Sequence, residues 1–199
     1  MSAKRFVIAM TGASGAPYGL AVIEELLRQE HEVHLLLTEA AWRVLKEEHQ
    51  WEIQKREQLF LERFQHLPGE LVFHPVKDIG ASIASGSFQC EAMVVVPCSM
   101  GTLARIANGF SANLVERAAD VMIKEKRPLI IVPRETPLSA IHLENMLKLS
   151  TYGVSIIPAM PAFYHQPETI EDLVNFMAGK VLDLLQVDHQ LYQRWEGGR

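Results

Sequence analysis

The stretch Val7-Ile8-Ala9-Met10-Thr11-Gly12-Ala13-Ser14-Gly15-Ala16-Pro17-Tyr18-Gly19 joins an apolar run, a glycine-rich turn and the start of a helix. The run reads as a buried strand. Gly12 and Gly15 let the chain turn tightly and come close to a ligand. The N–H groups of the following helix's first turn then face whatever sits at the turn, and they favour an anion. Ser14 adds a hydroxyl at the same point. The stretch therefore reads as the phosphate seat of a nucleotide-like cofactor. Its spacing, G-x-x-G-x-x-x-G, matches neither the dinucleotide fingerprint nor a Walker A loop, so an ordinary strand-to-helix turn accounts for this stretch alone equally well.

Outward from this turn, strands and helices alternate. Residues 5–11 form the first strand. Leu20, Ile23, Leu26 and Leu27 stand at helical spacing, which predicts an amphipathic helix over 16–30. Glu32 to Thr38 is the second strand and 40–48 a helix. A charged amphipathic stretch over 51–66 reads as helical and ends near Pro68-Gly69. Leu71 to Phe73 is a short strand, and 78–87, small and polar, is a loop. Further strands are expected over 92–97, 129–133 and 154–157, with helices over 100–108, 111–126, 138–151 and 169–186. No repeat or linker interrupts the pattern, so 1–199 reads as one domain. Such alternation gives a parallel sheet covered on both faces.

Ligands of such sheets bind beyond the carboxyl ends of the strands, so the residues after each strand form a set. These are Gly12, Ala13 and Ser14; then Thr38 and Glu39; then Cys98, Ser99, Met100, Gly101 and Thr102; then Arg134, Glu135 and Thr136; and last Met160, Phe163, Tyr164 and His165. Serine or threonine hydroxyls in four sets, helix N-termini and one guanidinium suit a phosphorylated planar cofactor rather than a metal.

Composition narrows the class. At 199 residues, with 48% hydrophobic and 22% charged residues, the chain suits a soluble globular protein with a full core. A net charge of −5 argues against a general nucleic-acid binder. No apolar run approaches the ~20 residues that span a bilayer. Met1-Ser2-Ala3-Lys4-Arg5 leads straight into a strand, without the apolar segment of a signal peptide. Cys90 and Cys98 make no disulfide framework. Together these features point to the cytosol.

Several groups invite a chemical role. Ser99 or Thr102 suits capping a helix, holding a phosphate, or both. Cys98 at a strand end reads as a small buried hydrophobe rather than a nucleophile. Arg117, Asp120 and Lys124 share a helix face. That face reads as solvated, or as a cationic surface beside Arg134 for a second phosphate. Arg134 and Glu135 stand together at a strand end, as a surface ion pair or as functional groups at the ligand edge. The eight histidines form no zinc-like spacing, and no serine stands in G-x-S-x-G. Pro158 to Tyr164 is apolar and stiff, fit for a subunit interface or the wall of an apolar pocket.

The order of motifs then carries a resemblance. Thr11-Gly12-Ala13-Ser14-Gly15-Ala16, Ala84-Ser85-Gly86-Ser87, Pro97-Cys98-Ser99, Glu116-Arg117-Ala118-Ala119-Asp120-Val121, Lys124-Glu125, Pro128-Leu129, Arg134-Glu135-Thr136-Pro137-Leu138, His142-Leu143-Glu144-Asn145-Met146 and Pro161-Ala162-Phe163-Tyr164-His165 resemble the flavin prenyltransferases of the UbiX/Pad type. The match covers nearly the whole chain and is weakest over about 50–75. It implies a three-layer αβα Rossmann-like (flavodoxin-like) fold with a mostly parallel sheet, and a homododecamer. It also implies metal-independent transfer of a dimethylallyl group from dimethylallyl phosphate to N5 and C6 of reduced FMN. The product, prenylated FMN, would serve a UbiD-type decarboxylase in ubiquinone biosynthesis or aromatic acid decarboxylation.

Carried over residue by residue, the resemblance implies a flavin seat of Gly12, Ala13, Ser14, Thr38, Ser99, Met100, Gly101, Thr102 and Arg134. Thr38 keeps the hydroxyl of a frequent family serine. Arg117, Lys124, Tyr164 and Lys180 would meet the allylic phosphate, partly across subunits, with Lys180 in place of the usual arginine. Cations stabilise a leaving phosphate, and ring closure must lose a proton to a base. Glu135 is the first candidate for that base, with Ser14 and Glu48 assisting and Lys124 on the leaving group. Glu47 beside Glu48 leaves two registers open. Two other classes compete. One is an FMN-dependent cysteine-decarboxylase-like flavoprotein, which needs an active-site histidine and a substrate clamp that do not stand out here. The other is a non-catalytic FMN-binding protein, against which stands a cationic set larger than one phosphate needs.

Overall fold

The structure, a computed structural model, describes residues 3–194. Its elements run β1 (Arg5–Met10), α1 (Ala16–Arg28), β2 (Glu32–Leu37), α2 (Glu39–His49), α3 (Arg56–Phe64), β3 (Glu70–His74), β4 (Ala92–Cys98), α4 (Met100–Ala107), α5 (Leu114–Lys124), β5 (Leu129–Pro133), α6 (Ala140–Thr151), β6 (Ser155–Ile156) and α7 (Ile170–Leu184). Short 3₁₀ turns at Ile53–Lys55 and Ser82–Ala84 interrupt the connections. The six strands lie in the order β3-β2-β1-β4-β5-β6, and all their ladders are parallel.

The apolar runs explain this sheet. A parallel strand is covered on both faces and must be apolar at every position; β4 and β5 are buried throughout. Alternate residues then feed two cores. Phe6, Ile8 and Met10 of β1 pack with residues of α1, α2, α3 and α7. Val7 and Ala9 pack with residues of α4, α5 and α6. The order reverses between β1 and β4, and that crevice is where such folds take ligands. No helix among the described residues is long and apolar enough to cross a membrane.

Three helices start later than the hydrophobic pattern suggests, each for the same reason. Asn113, Ser139 and Thr169 act as N-caps, accepting from the backbone N–H groups of Glu116, His142 and Asp172 at 3.1, 3.3 and 3.1 Å. Each polar cap sets the first helical residue immediately after itself, so α5, α6 and α7 begin three, two and one residues later than periodicity alone would place them. The last strand shrinks to two residues, although Ile157 and Ala159 still donate to Ile131 and Pro133 beyond it.

The weakly matched region 50–75 has a structural task. Phe60 of α3 is fully buried and meets Trp42, Trp51 and Phe73 edge-on, with ring centroids 5.6, 4.9 and 5.4 Å away. Burying such a ring is worth about 1.5–3 kcal/mol. Arg56 lies over Trp42 and bonds Glu39 at 2.7 Å. Together these contacts fix α2, and α2 carries a residue of the site.

Candidate functional site

The site is built where β1, β4 and β5 end side by side. Thr11 stitches two of these ends together. Its hydroxyl donates to the Pro97 carbonyl at 2.9 Å and accepts from the Ser99 N–H at 2.7 Å. Sequence reasoning gave Thr11 no role; its place as the last hydroxyl before the glycine turn was the available signal.

The glycine turn works differently from expectation. Gly15 takes a left-handed backbone, φ 111°, to cap α1, a conformation that disfavours any side chain. Gly12 needs no such backbone. A Cβ there would collide with Ala40, where α2 crosses over the turn. The N–H groups expected to receive a phosphate are already taken. Gly15 N–H donates to Glu48 at 3.0 Å and Ala16 N–H donates at 2.9 Å. Glu48 therefore supplies the anion that α1's N-terminus favours, and the phosphate-seat reading of this helix start is corrected. Of the two registers left open, Glu48 rather than Glu47 reaches the turn. Ala13 is buried, while Ser14 faces out.

The open N-terminus belongs to α4. Ser99 accepts from Thr102 N–H at 3.4 Å and donates to the Thr102 hydroxyl at 3.1 Å. Met100 and Thr102 point their side chains inward, so they offer backbone. Among the described residues no acceptor meets the Met100 or Gly101 N–H. Thr38 caps α2, accepting from Ala41 N–H at 3.1 Å, and keeps its own proton to donate. Arg134 reaches across the crevice and donates to the Ser14 carbonyl at 3.3 Å. Glu135 accepts from Thr136 N–H at 3.0 Å. The two neighbours do not pair with each other among the described contacts. Tyr18, also missed from sequence, lies beside this set. Burial and Glu48 push its phenol up, and Arg134 pulls it down. Burial pushes the Cys98 thiol up to about 12, which leaves it an unreactive part of the core.

This crevice fits a flavin mononucleotide by the chemistry of its donors: open backbone N–H groups and hydroxyls for a phosphate, and the Arg134 guanidinium. Removing Glu48 tests the turn. Glu48→Ala is expected to cost about 1 kcal/mol of stability by orphaning two helix-start donors, read as a lower urea midpoint at unchanged slope, while Glu48→Gln retains most of it.

The remaining candidates form two further groups. Arg117 and Lys124 lie on α5. Arg117 donates to the Ala84 carbonyl at 3.2 Å and to Asp120 at 3.0 Å, and Lys124 pairs with Glu125 beside Gly86. Lys124 closes α5 just before β5 begins, whereas Arg134 follows its end. Five strand residues of roughly 3.3 Å each separate these edges. The expectation that Lys124 stacks beside Arg134 within one chain is thereby corrected. Tyr164 and Lys180 form the other group, on the α7 side of the sheet, where Phe176 touches Tyr164 edge-on at 5.9 Å.

A model of the flavoprotein family matches residues 1–182. Flavin prenyltransferase UbiX of Alkalihalophilus pseudofirmus is 58% identical over 192 residues, 96% of each chain. The solved structure of AnUbiX in complex with FMN and dimethylallyl pyrophosphate superposes with a TM-score of 0.90 at 41% identity, covering 100% of both chains. A dodecameric FMN-dependent UbiX-like decarboxylase from Escherichia coli gives a TM-score of 0.87 at 42% identity, covering 97% of this chain and 100% of its own. With a family match along most of its length and relatives this close over the whole of theirs, the chain belongs to the flavoprotein family and, within it, to the flavin prenyltransferases of the UbiX type.

Proposed function

We propose that this protein is a flavin prenyltransferase that moves the dimethylallyl group of dimethylallyl phosphate onto reduced FMN, without a metal, and that its product serves a UbiD-type decarboxylase. The observation that carries the reading is the convergence of Ser14, Ser99, the open α4 N-terminus and Arg134 in one crevice. Bound reduced FMN supplies the nucleophilic N5 and C6 positions.

The chain's own residues have separable tasks. Gly12 and Ala13 shape the wall of the seat, Met100 and Gly101 offer backbone N–H groups and Thr38 its hydroxyl to the phosphate, and Thr102 supports Ser99 from behind. Ser14 and Glu48 hold the β1 turn in place. As the allylic C–O bond breaks, negative charge gathers on the departing phosphate, and Arg117, Lys124, Lys180 and the Tyr164 hydroxyl stabilise it. Glu135 takes the proton that ring closure releases. Arg117 and Lys124 sit on one face of the sheet and Tyr164 and Lys180 on the other, so a second copy joins the two halves. Exposed Met160, Phe163 and Ile170, at 64%, 71% and 79% of full exposure, suit that subunit contact; the assembly proposed is a homododecamer and the compartment proposed is the cytoplasm. The full chain, 1–199, acts as a single flavoprotein domain.

Anaerobic incubation with FMNH2 and dimethylallyl phosphate, followed by mass spectrometry of the released flavin, is the test. The expected result is a flavin heavier by one five-carbon unit, in EDTA-treated protein as well. Unchanged flavin that stays bound would leave an FMN-binding protein. Decarboxylation of a cysteine-terminated peptide in place of prenylation would point to the cysteine-decarboxylase class. Running dimethylallyl pyrophosphate in parallel separates the two donors.

A further inference from the structure

Helix α7 places Gly179, Lys180 and Asp183 within one turn of each other, and the segment 188–194 folds back along them. A Cβ at Gly179 would meet the His189 and Tyr192 rings at 2.6 Å, so the absent side chain lets the segment lie flat on the helix. Asp183 is the anchor. It accepts from the Tyr192 hydroxyl at 2.6 Å, from Arg194 at 2.6 Å and from His189 Nε2 at 3.1 Å. Leu191 N–H donates to His189 Nδ1 at 3.2 Å, which fixes the tautomer that carries its proton on Nε2. Burial pushes the Asp183 carboxyl up, but donation from Arg194, Tyr192 and His189 outweighs it and leaves the group at about 2.

Locked in this way, the Tyr192 ring has two neighbours. The Lys180 ammonium lies 5.9 Å from its centroid, and Phe176 lies 5.1 Å away. Phe176 in turn stacks on His165 at 5.0 Å and meets Tyr164. Tyr192 and Phe176 together thus link the two members of the substrate set on this face. Lys180 makes no ion pair among the described residues, although Asp183 stands three positions on, where a helix carboxylate ordinarily captures a lysine. Three donors occupy that carboxylate instead.

We propose that Asp183, His189, Tyr192 and Arg194 form a positioning clamp that keeps the Lys180 ammonium away from Asp183 and holds it over Tyr192 for the phosphate of the allylic donor. The clamp rests on the prenyltransferase reading. None of its four residues touches the reacting atoms; they act through Lys180.

Kinetics and binding on the FMN-loaded protein test it. Tyr192→Leu should raise KM and the titrated Kd for dimethylallyl phosphate about five- to tenfold, the worth of a lost cation–π contact, with kcat and FMN affinity unchanged. The double variant with Lys180→Met should be no worse than Lys180→Met alone. Tyr192→Phe keeps the ring but frees Asp183 to capture Lys180, so it should also raise KM. Adding Asp183→Asn should bring KM back toward wild type, which a merely structural role would not do. In the substrate-free protein the Lys180 ε-methylene resonances should lie upfield under the Tyr192 ring and lose that shift in Tyr192→Leu. A wild-type KM in Tyr192→Leu, additive effects with Lys180→Met, or FMN affinity falling in step with donor affinity would each overturn the clamp. A wild-type protein that binds FMN but makes no prenylated flavin would instead sink the prenyltransferase reading and, with it, the clamp's assignment to an allylic phosphate.

Discussion

Glu135→Gln is expected to lower turnover by about 10²–10⁴ while leaving FMN affinity nearly intact. The reasoning starts from what Glu135 does not do. A carboxylate next to a guanidinium in sequence invites an ion pair, worth little at a surface. Arg134 turns to the Ser14 carbonyl at 3.3 Å, and among the described residues the Glu135 carboxylate accepts from Thr136 N–H alone, at 3.0 Å. An exposed carboxylate at the rim of the proposed phosphate crevice would repel the ligand's charge, so its presence needs a task, and removing the ring-closure proton is the task proposed for it. The amide of Gln keeps the shape and an accepting oxygen but loses the basicity. A group needed only in the transition state lowers kcat and kcat/KM together. Flavin titration and product mass on the same preparation separate the cases. Wild-type turnover, or loss of activity explained by lost FMN binding, would make Glu135 a structural residue.

The doubly wound architecture was legible because parallel strands must be apolar at every position, and the runs at Val7 to Met10, Ala92 to Val96 and Leu129 to Val132 are. The edges of the site were legible for a related reason: in a parallel sheet the residues after each strand converge by topology alone, which is how Ser14, Ser99, Thr102 and Arg134 could be grouped. What stayed hidden depends on side chains crossing between elements. Nothing in the glycine turn says that Glu48, 33 residues after Gly15, fills its helix start. Likewise the charge run at Glu116 to Arg127 gives no sign that its first member is buried and its last straps the Gly86 and Phe88 carbonyls at 2.6 and 2.5 Å. Periodicity reports which face is apolar, but it does not report which charged residue finds a partner there.

Glu116 supplies the second large expected effect. Its side chain has no exposed surface, while that of its partner Arg105 is 46% exposed. The carboxylate is held by the Arg105 Nε, by Ala112 N–H at 2.8 Å and by the Asn113 side-chain amide at 2.8 Å. This asymmetry decides which half of the pair is dangerous to remove. Deleting Arg105 strands a buried charge with two neutral donors, whereas neutralising Glu116 leaves an arginine that can turn to water. Arg105→Ala is therefore expected to cost about 3–5 kcal/mol, and Glu116→Gln about 1–2 kcal/mol, since its amide satisfies the donors only in part. The effect should reach the site as well. Arg105 also donates to the Thr102 hydroxyl at 3.4 Å, and Thr102 meets Ser99 at 3.1 Å, so a buried carboxylate on α5 steadies the open N-terminus of α4 through two intervening side chains. Arg105→Ala should then weaken FMN binding even at temperatures where the protein stays folded. Urea unfolding and flavin titration of the two variants read both effects. If Glu116→Gln proves the more destabilising, or if Arg105→Ala lowers stability and leaves FMN affinity at the wild-type value, the pair is a fold element with no hand in shaping the phosphate seat.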